Sequence, residues 1–257
     1  MSHLSQMKNI VLIGSGNVAT HLGLSLVNKG YIIKQVWSNH RRNANILAKR
    51  LDSRSIDDLK DIKDADLYIV TVKDDALESV IEQLDANNII HTSGGNGLDV
   101  FDNKCENYGV FYPLQTFNKD VNLDFSKTPL CIEANNKFFE NKLMKIGGDL
   151  SNTVVRMDSE QRKKLHIAAV FACNFTNHMF TIADTMLERS DINFKILMPI
   201  IHQTVLKLED SKPSEVQTGP AIRKDRKMIQ NHISNLPDKE TKEIYKLISE
   251  SIMAGNG

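Results

Sequence analysis

The segment Gly14-Ser15-Gly16-Asn17-Val18-Ala19 has the spacing of a turn built to receive a phosphate. Gly14 permits a tight turn off a strand, Gly16 lets a phosphate approach the backbone, and Ala19 lets the next helix pack close to a sheet. The first turn of that helix adds free N–H groups and the positive end of its dipole. Small residues also occupy such turns for packing alone. The motif therefore needs a strand before it, a helix after it and a second strand at the right distance. All three are present in the sequence.

The second strand ends in Gln35-Val36-Trp37-Ser38-Asn39-His40-Arg41-Arg42. A dinucleotide site that reads a free ribose places an acidic residue here, to accept from its hydroxyls. None is present. A 2′-phosphate reverses the demand: a carboxylate would repel it, whereas a guanidinium offers forked donors. Ser38 and Asn39 add neutral donors. This pattern predicts NADP rather than NAD. The alternative is that Arg41 and Arg42 are a solvated first helical turn, although cations are mildly unfavourable there.

Ligands of such sheets lie beyond the carboxyl ends of the strands. Val72-Lys73-Asp74 follows the third strand of this reading, where it would border the nicotinamide ribose. His91, Thr92 and Ser93 follow the next, Ser93 as a cofactor contact and His91 as a substrate contact or, alternatively, a satisfied core histidine. Tyr112 and Pro113 fall in 110–117, which reads as a third loop. Ser93 has no visible activating partner, so it is not read as a nucleophile. There is no H-E-x-x-H or C-x-x-C spacing, and no metal is expected.

Further along, His166, Asn174, Asn177 and His178 interrupt an apolar helical stretch. At ~100° per residue, an unbroken helix brings positions 166 and 177 near one meridian. Polar groups on such a surface need partners or a wet cleft, so these four are the candidate catalytic set; the plainer alternative is that they cap a neighbouring element or sit at a rim. Thr218-Gly219-Pro220 reads as a turn into a helix, with proline in a permitted first-turn position. Free N–H groups there, with Thr218, Gly219 and Arg223, could hold a carboxylate. The plainer alternative is an ordinary helix start with a solvent-facing arginine.

The elements that must position these groups have two rhythms. Apolar strands at 9–14, 31–38, 66–72 and 88–94 alternate with helices at 18–30, 41–51 and 75–84, and further strands are expected at 128–134 and 152–157 with a helix between them. This is the pattern of a parallel sheet covered on both faces. From Ser159 about thirty residues run without glycine or proline as one helix, and three more helices follow, Pro199 marking a kink or boundary. The expected fold is α/β: a Rossmann doubly wound parallel sheet over 1–157, then an all-α domain over 158–257.

Bulk properties narrow the class. The 257 residues are 41% hydrophobic and 25% charged with zero formal net charge, so a general nucleic-acid binder is not expected. Cys105, Cys131 and Cys173 fit neither a disulfide framework nor a metal site, which suits a reducing cytoplasm. No apolar leader is evident over residues 1–9, and no run of eighteen apolar residues suggests a membrane span.

Together "VLIGSGNVATHL", "SNHRR", "IVTVKDDAL", "HTSGG", "LHIAAVFACNFTNH" and "TGPAIRKD" resemble a family of NADP-dependent oxidoreductases that joins a Rossmann-like domain to a helical domain of unknown function. More distantly the chain is similar to pyrroline-5-carboxylate reductase, ketopantoate reductase and the β-hydroxyacid dehydrogenases. The resemblance implies a helical domain that builds a homodimer and a small-molecule substrate, a ketopantoate-like 2-keto acid foremost. One departure matters. The latter two families carry K-x-x-x-N on the long helix, with lysine as acid; here Lys164 is followed four residues on by Ala168, and Asn174 is preceded by Val170. Either His166 or His178 supplies the proton, or the substrate needs none, or the protein is a non-catalytic NADP(H) sensor.

Overall fold

The structure is a computed structural model that describes residues 7–255; most of the expected leader-free N-terminus, residues 1–6, lies outside the described residues. Eight strands form one sheet: β1 (Asn9–Ile13), β2 (Ile32–Trp37), β3 (Arg54–Ile56), β4 (Leu67–Val70), β5 (Asn88–His91), β6 (Asn107–Pro113), β7 (Leu130–Ala134) and β8 (Val154–Arg156). Their order is β3-β2-β1-β4-β5-β6-β7-β8. The first six run parallel, and the strand order reverses between β1 and β4, where such sheets open a ligand crevice.

Strand alternation divides the core. Ile10, Leu12, Leu67, Ile69, Ile90 and Phe111 point to one face, under α1 (Asn17–Asn28), α2 (Arg41–Arg50) and α4 (Lys137–Leu150). Val11, Ile13, Tyr68, Val70 and Ile89 point to the other, against α3 (Leu77–Glu82) and the turn around Phe101. Each fully buried Ile or Leu is worth ~1.5–3 kcal/mol, so neither face can be exposed without loss of the sheet.

Two strands depart from the all-parallel expectation. β7 is antiparallel to β6, because the 114–129 connection carries only a short 3-10 turn and no crossover helix. β8 then pairs parallel to β7 across α4. Of the stretch read as a loop at 110–117, residues 110–113 are the end of β6, so Tyr112 and Pro113 stand in the sheet. β3 was not anticipated at all.

By contacts the chain divides into two compact units, one ending at Phe171 and the other starting at Ala172. In the first, α5 (Ser159–Ala169) starts from a capping box: Asp158 accepts from the Gln161 N–H and the Gln161 side chain accepts from the Asp158 N–H. A π-helical segment, Val170–Phe175, follows, and then α6 (Thr176–Glu188) in the second unit. The expected thirty-residue helix therefore has a π segment within it. Because i→i+5 bonding adds a residue to the turn, the 3.6-residue spacing rule does not run unbroken across 170–175.

The second unit continues with α7 (Met198–Leu206), α8 (Arg226–Asn235) and α9 (Lys239–Ala254). Pro199 opens α7, as a boundary rather than a kink. Phe180 packs edge-on against Phe194, and His232 Nδ1 lies 2.8 Å from the Tyr245 hydroxyl, tying α8 to α9.

Candidate active site

The glycine turn has the demanded shape. Gly14 adopts φ +124°, and a side chain there would collide with the Thr71 carbonyl at 2.7 Å. Thr71, which the sequence reading passed over, donates from its hydroxyl to Ile13 O at 3.1 Å and so closes the β1–β4 crevice under the turn. Above Gly16 there is open space. Gly16 is the N-cap of α1, whose start has no side-chain cap and no acidic residue in its first turn. An uncapped helix start with space above its glycine fits a pyrophosphate.

Asn17 is committed elsewhere. Its side chain donates to Phe117 O at 2.9 Å and accepts from the Lys119 N–H at 3.2 Å. One turn on, His21 Nε2 lies 2.9 Å from Asn118 O and its ring stacks on Phe117. The segment after β6 is thus latched to the first turns of α1, leaving Asn17 only its backbone to offer a ligand. Val18 is half-buried beside it. The latch brings Lys119 to a small recess lined by Ser15, Thr20, Asn43 and Arg50.

At the end of β2, Ser38 is buried and its Oγ accepts from the His40 N–H at 3.3 Å, while Asn39, Arg41 and Arg42 are exposed. α2 begins at Arg41 without a side-chain cap or an acidic first-turn residue. Arg41 touches Asp57 at 3.7 Å with its side chain 76% exposed, an interaction worth at most ~1 kcal/mol and easily given up. Donors and cations at an uncapped helix start fit a phosphate monoester better than ribose hydroxyls.

Further along the edge, Val72 is half-buried, and Lys73 and Asp74 are exposed at the start of a 3-10 turn. The β5 loop is tightly wired. His91 is fully buried; its Nδ1 accepts from the Ser93 N–H at 3.1 Å and Nε2 lies 3.2 Å from Gly97 O. Nδ1 therefore carries no proton and Nε2–H donates. Burial pushes the His91 pKa down to about 4, so the ring is neutral and has no nitrogen left for a substrate. Ser93 Oγ accepts from the N–H groups of Gly95 and Asn96 and from the Asn96 amide, closing a turn.

The first turns of α5 lie over the face of β6 and β7 that carries Val110, Tyr112, Cys131 and Glu133. Val110 pairs with Glu133 and Tyr112 with Cys131, so the first pair stands two residues before the second along β6. Two strand residues span ~6.6 Å and four helical residues ~6 Å. The helix thus meets the sheet in step. Arg162, fully buried, donates to Glu133 Oε2 at 2.5 Å and to Asn96 O at 2.6 Å. Four residues on, His166 Nδ1 meets the Tyr112 hydroxyl at 3.0 Å. Gly94 lies beneath both rings: a Cβ there would stand 2.7 Å from His166 Nδ1 and 2.8 Å from Tyr112 Cζ. Burial pushes the Tyr112 phenol up to about 12. Nothing in the sequence marks Arg162, one of three consecutive cations, or pairs Tyr112 with a histidine 54 positions away.

In the second unit Asn174, Asn177 and His178 are exposed on the π segment and α6. The Thr218-Gly219-Pro220 reading needs correction. Residues 220–224 form turns, Lys224 adopts φ +55°, and α8 starts only at Arg226, capped by Asp225 accepting from the Met228 N–H at 3.0 Å. Arg223 is exposed in that turn rather than one turn into a helix, and the capped α8 start offers Thr218 and Gly219 no partner N–H groups.

Comparison with known proteins accords with this architecture. Residues 9–92 match the family model described as NADP oxidoreductase, coenzyme F420-dependent, and residues 128–252 match a domain of unknown function, DUF2520. The crystal structure of a candidate NADP oxidoreductase from Bacteroides fragilis is 39% identical, with a TM-score of 0.92 over 97% of this chain and 99% of its own. Pyrroline-5-carboxylate reductase from Streptococcus pyogenes is 13% identical, with a TM-score of 0.65 over 96% of this chain and 98% of its own. An imine reductase from Myxococcus stipitatus, solved with NADP+, is 14% identical, with a TM-score of 0.65 over 96% of this chain and 92% of its own. The last two are likenesses of fold. No curated protein matches the chain significantly.

Proposed function

The chain belongs to the NADP oxidoreductase family of the Bacteroides fragilis protein, and from that premise we propose that it reduces a small carbonyl or imine compound bearing a carboxylate, using NADPH. The observation that carries the reading is the placing of His166. A half-buried histidine held by Tyr112 stands at the carboxyl end of β6, on the same edge as the glycine turn and the Ser38–Arg42 cluster. Four inter-strand steps of that edge, ~19 Å at the usual spacing, separate the phosphate-reading end from the histidine.

Bound NADPH supplies a hydride. The residues of the chain do the rest. The Gly14–Gly16 turn and the first N–H groups of α1 hold the pyrophosphate, and Ser38, Asn39, Arg41 and Arg42 hold the 2′-phosphate. His166 gives a proton to the reduced oxygen or nitrogen, the role a lysine has in the related dehydrogenases. A ketopantoate-like 2-keto acid is the first substrate to try. NADPH fluorescence titration, then oxidation against a panel of 2-keto acids and cyclic imines, tests the reading; failure to bind NADPH would sink it. Binding without turnover on every compound would favour the sensor, which the absence of a lysine four residues before Asn174 supports.

The protein acts as a homodimer in this reading. In the second unit Ile196, Ile200 and Leu247 are 67%, 63% and 66% exposed. A groove of about 530 Å³ between α6, α8 and α9, lined by Met179, Ile182, Met186, Ile244 and Ile248, is sized for side chains of a second copy. Sedimentation equilibrium giving one chain per particle would refute the dimer.

A further inference from the structure

We propose that Tyr112 is a positioning residue of this site, whose hydroxyl holds His166 by Nδ1 so that Nε2 is the nitrogen presented to the substrate. The inference rests on the reading of His166 as proton donor and says how that donor is aimed.

Three observations converge. Tyr112 is 9% exposed, and its hydroxyl lies 3.0 Å from His166 Nδ1, with the rings edge-on at 76°. A buried phenol needs a partner, and this nitrogen is the one it has among the described residues. Secondly, His166 Nε2 has no hydrogen-bond partner among the described residues, so the ring is fixed by one nitrogen only. Thirdly, Gly94 has an ordinary negative φ, so its backbone does not demand glycine. The Tyr112 and His166 rings occupy the space a Cβ would fill.

A hydroxyl suits this position because it can reverse its role. Opposite a neutral imidazole, Tyr112 O–H donates to Nδ1 and the ring proton sits on Nε2. Opposite an imidazolium, Nδ1–H donates to the phenol oxygen and Nε2–H remains free to act. The raised phenol pKa keeps the hydroxyl protonated throughout. In the reductive step the substrate carbon would gain the hydride that bound NADPH supplies, and the C=O or C=N π pair moves to the heteroatom. The heteroatom takes the Nε2 proton, and the imidazolium becomes a neutral imidazole still bonded through Nδ1–H to Tyr112. Bulk water then reprotonates Nε2.

The test uses the full chain with and without NADPH. In cofactor-free protein labelled with 15N-histidine, at about pH 8.5, His166 should show a protonated Nε2. Its Nδ1 should be shifted upfield by an accepted hydrogen bond. Tyr112→Phe keeps the ring and its packing but should move Nδ1 downfield toward a free imidazole nitrogen. With a turned-over substrate, Tyr112→Phe should lower kcat about 10- to 100-fold with KM and the NADPH Kd changed less than about threefold. Adding it to His166→Gln should cost nothing further, since Tyr112 acts through the histidine. An unbonded or protonated Nδ1 in the wild type overturns the proposal whatever the kinetics, as does a Tyr112→Phe variant with unchanged kcat. A His166→Gln variant with full kcat removes the underlying reading instead, whatever the nitrogen shifts show.

Discussion

Replacing Arg162 with methionine should cost the first unit about 3 kcal/mol. The guanidinium is fully buried and donates to Glu133 and the Asn96 carbonyl, while the Glu133 side chain is 16% exposed. Removing one partner of a buried pair costs roughly 3–5 kcal/mol, because the other charge stays desolvated. The lower end applies because Glu133 keeps the Ser159 N–H at 3.0 Å and the Ser159 hydroxyl at 2.7 Å. Glu133→Gln alone should cost a similar ~3 kcal/mol, by stranding the cation. With both charges removed the penalties should not add, and a coupling of at least ~2 kcal/mol is expected. Urea unfolding followed by the single tryptophan, Trp37 at the end of β2, reads the first unit directly. An Arg162→Met cost below ~1 kcal/mol, or strictly additive costs, would refute the description of this pair as the bolt between α5 and the sheet.

Three other outcomes follow from the same geometry. Arg42→Glu, and to a lesser degree Arg41→Glu, should weaken NADPH about 10- to 100-fold, the size of one or two charged hydrogen bonds, and leave NADH nearly unchanged; equal losses in parallel titrations would remove the 2′-phosphate assignment. His91 is held neutral at a folded pKa of about 4 against an ordinary 6.5. Its contribution, about 3 kcal/mol, should be complete above pH ~6.5 and disappear as the pH falls toward ~4; His91→Gln should flatten that part of the stability curve, and an unchanged slope would contradict it. Gly14→Ala, at φ +124° and against the Thr71 carbonyl, should abolish NADPH fluorescence enhancement and lower stability by at least ~1 kcal/mol; retained binding would show that the turn does not hold the cofactor.

What could be read in the sequence follows from how local each feature is. The Gly14 turn, the strand that precedes it and the helix that follows are set by neighbouring residues, and the elements fall within a few residues of their expected limits. The Ser38–Arg42 cluster was legible for the same reason. β6 was not, because Pro113 reads as a breaker; it survives at the strand's last residue, with β5 and β7 pairing on either side. The Thr218-Gly219-Pro220 turn misled because Pro220 looks like a helix start, while the side-chain cap that decides the matter belongs to Asp225. Ser93 and Asn17 carry the right chemistry, but their side chains are spent on turns and latches that no spacing reveals. Tyr112 with His166, and Arg162 with Glu133, are products of the helix and sheet rising in step.

The latch between Asn17 and Phe117–Lys119 bears on the order in which the chain can become competent. The glycine turn is often treated as a self-sufficient unit, yet here its helix is held by backbone groups 100 and 102 positions downstream. Closing a loop of that length is among the slower events of folding. A nascent chain with only the first five strands outside the ribosome would show the glycine motif without its brace. Nucleotide affinity should therefore arrive late in synthesis, after β6 is in place. A ligand so timed stabilises the finished unit and gives nothing to its unfinished precursors.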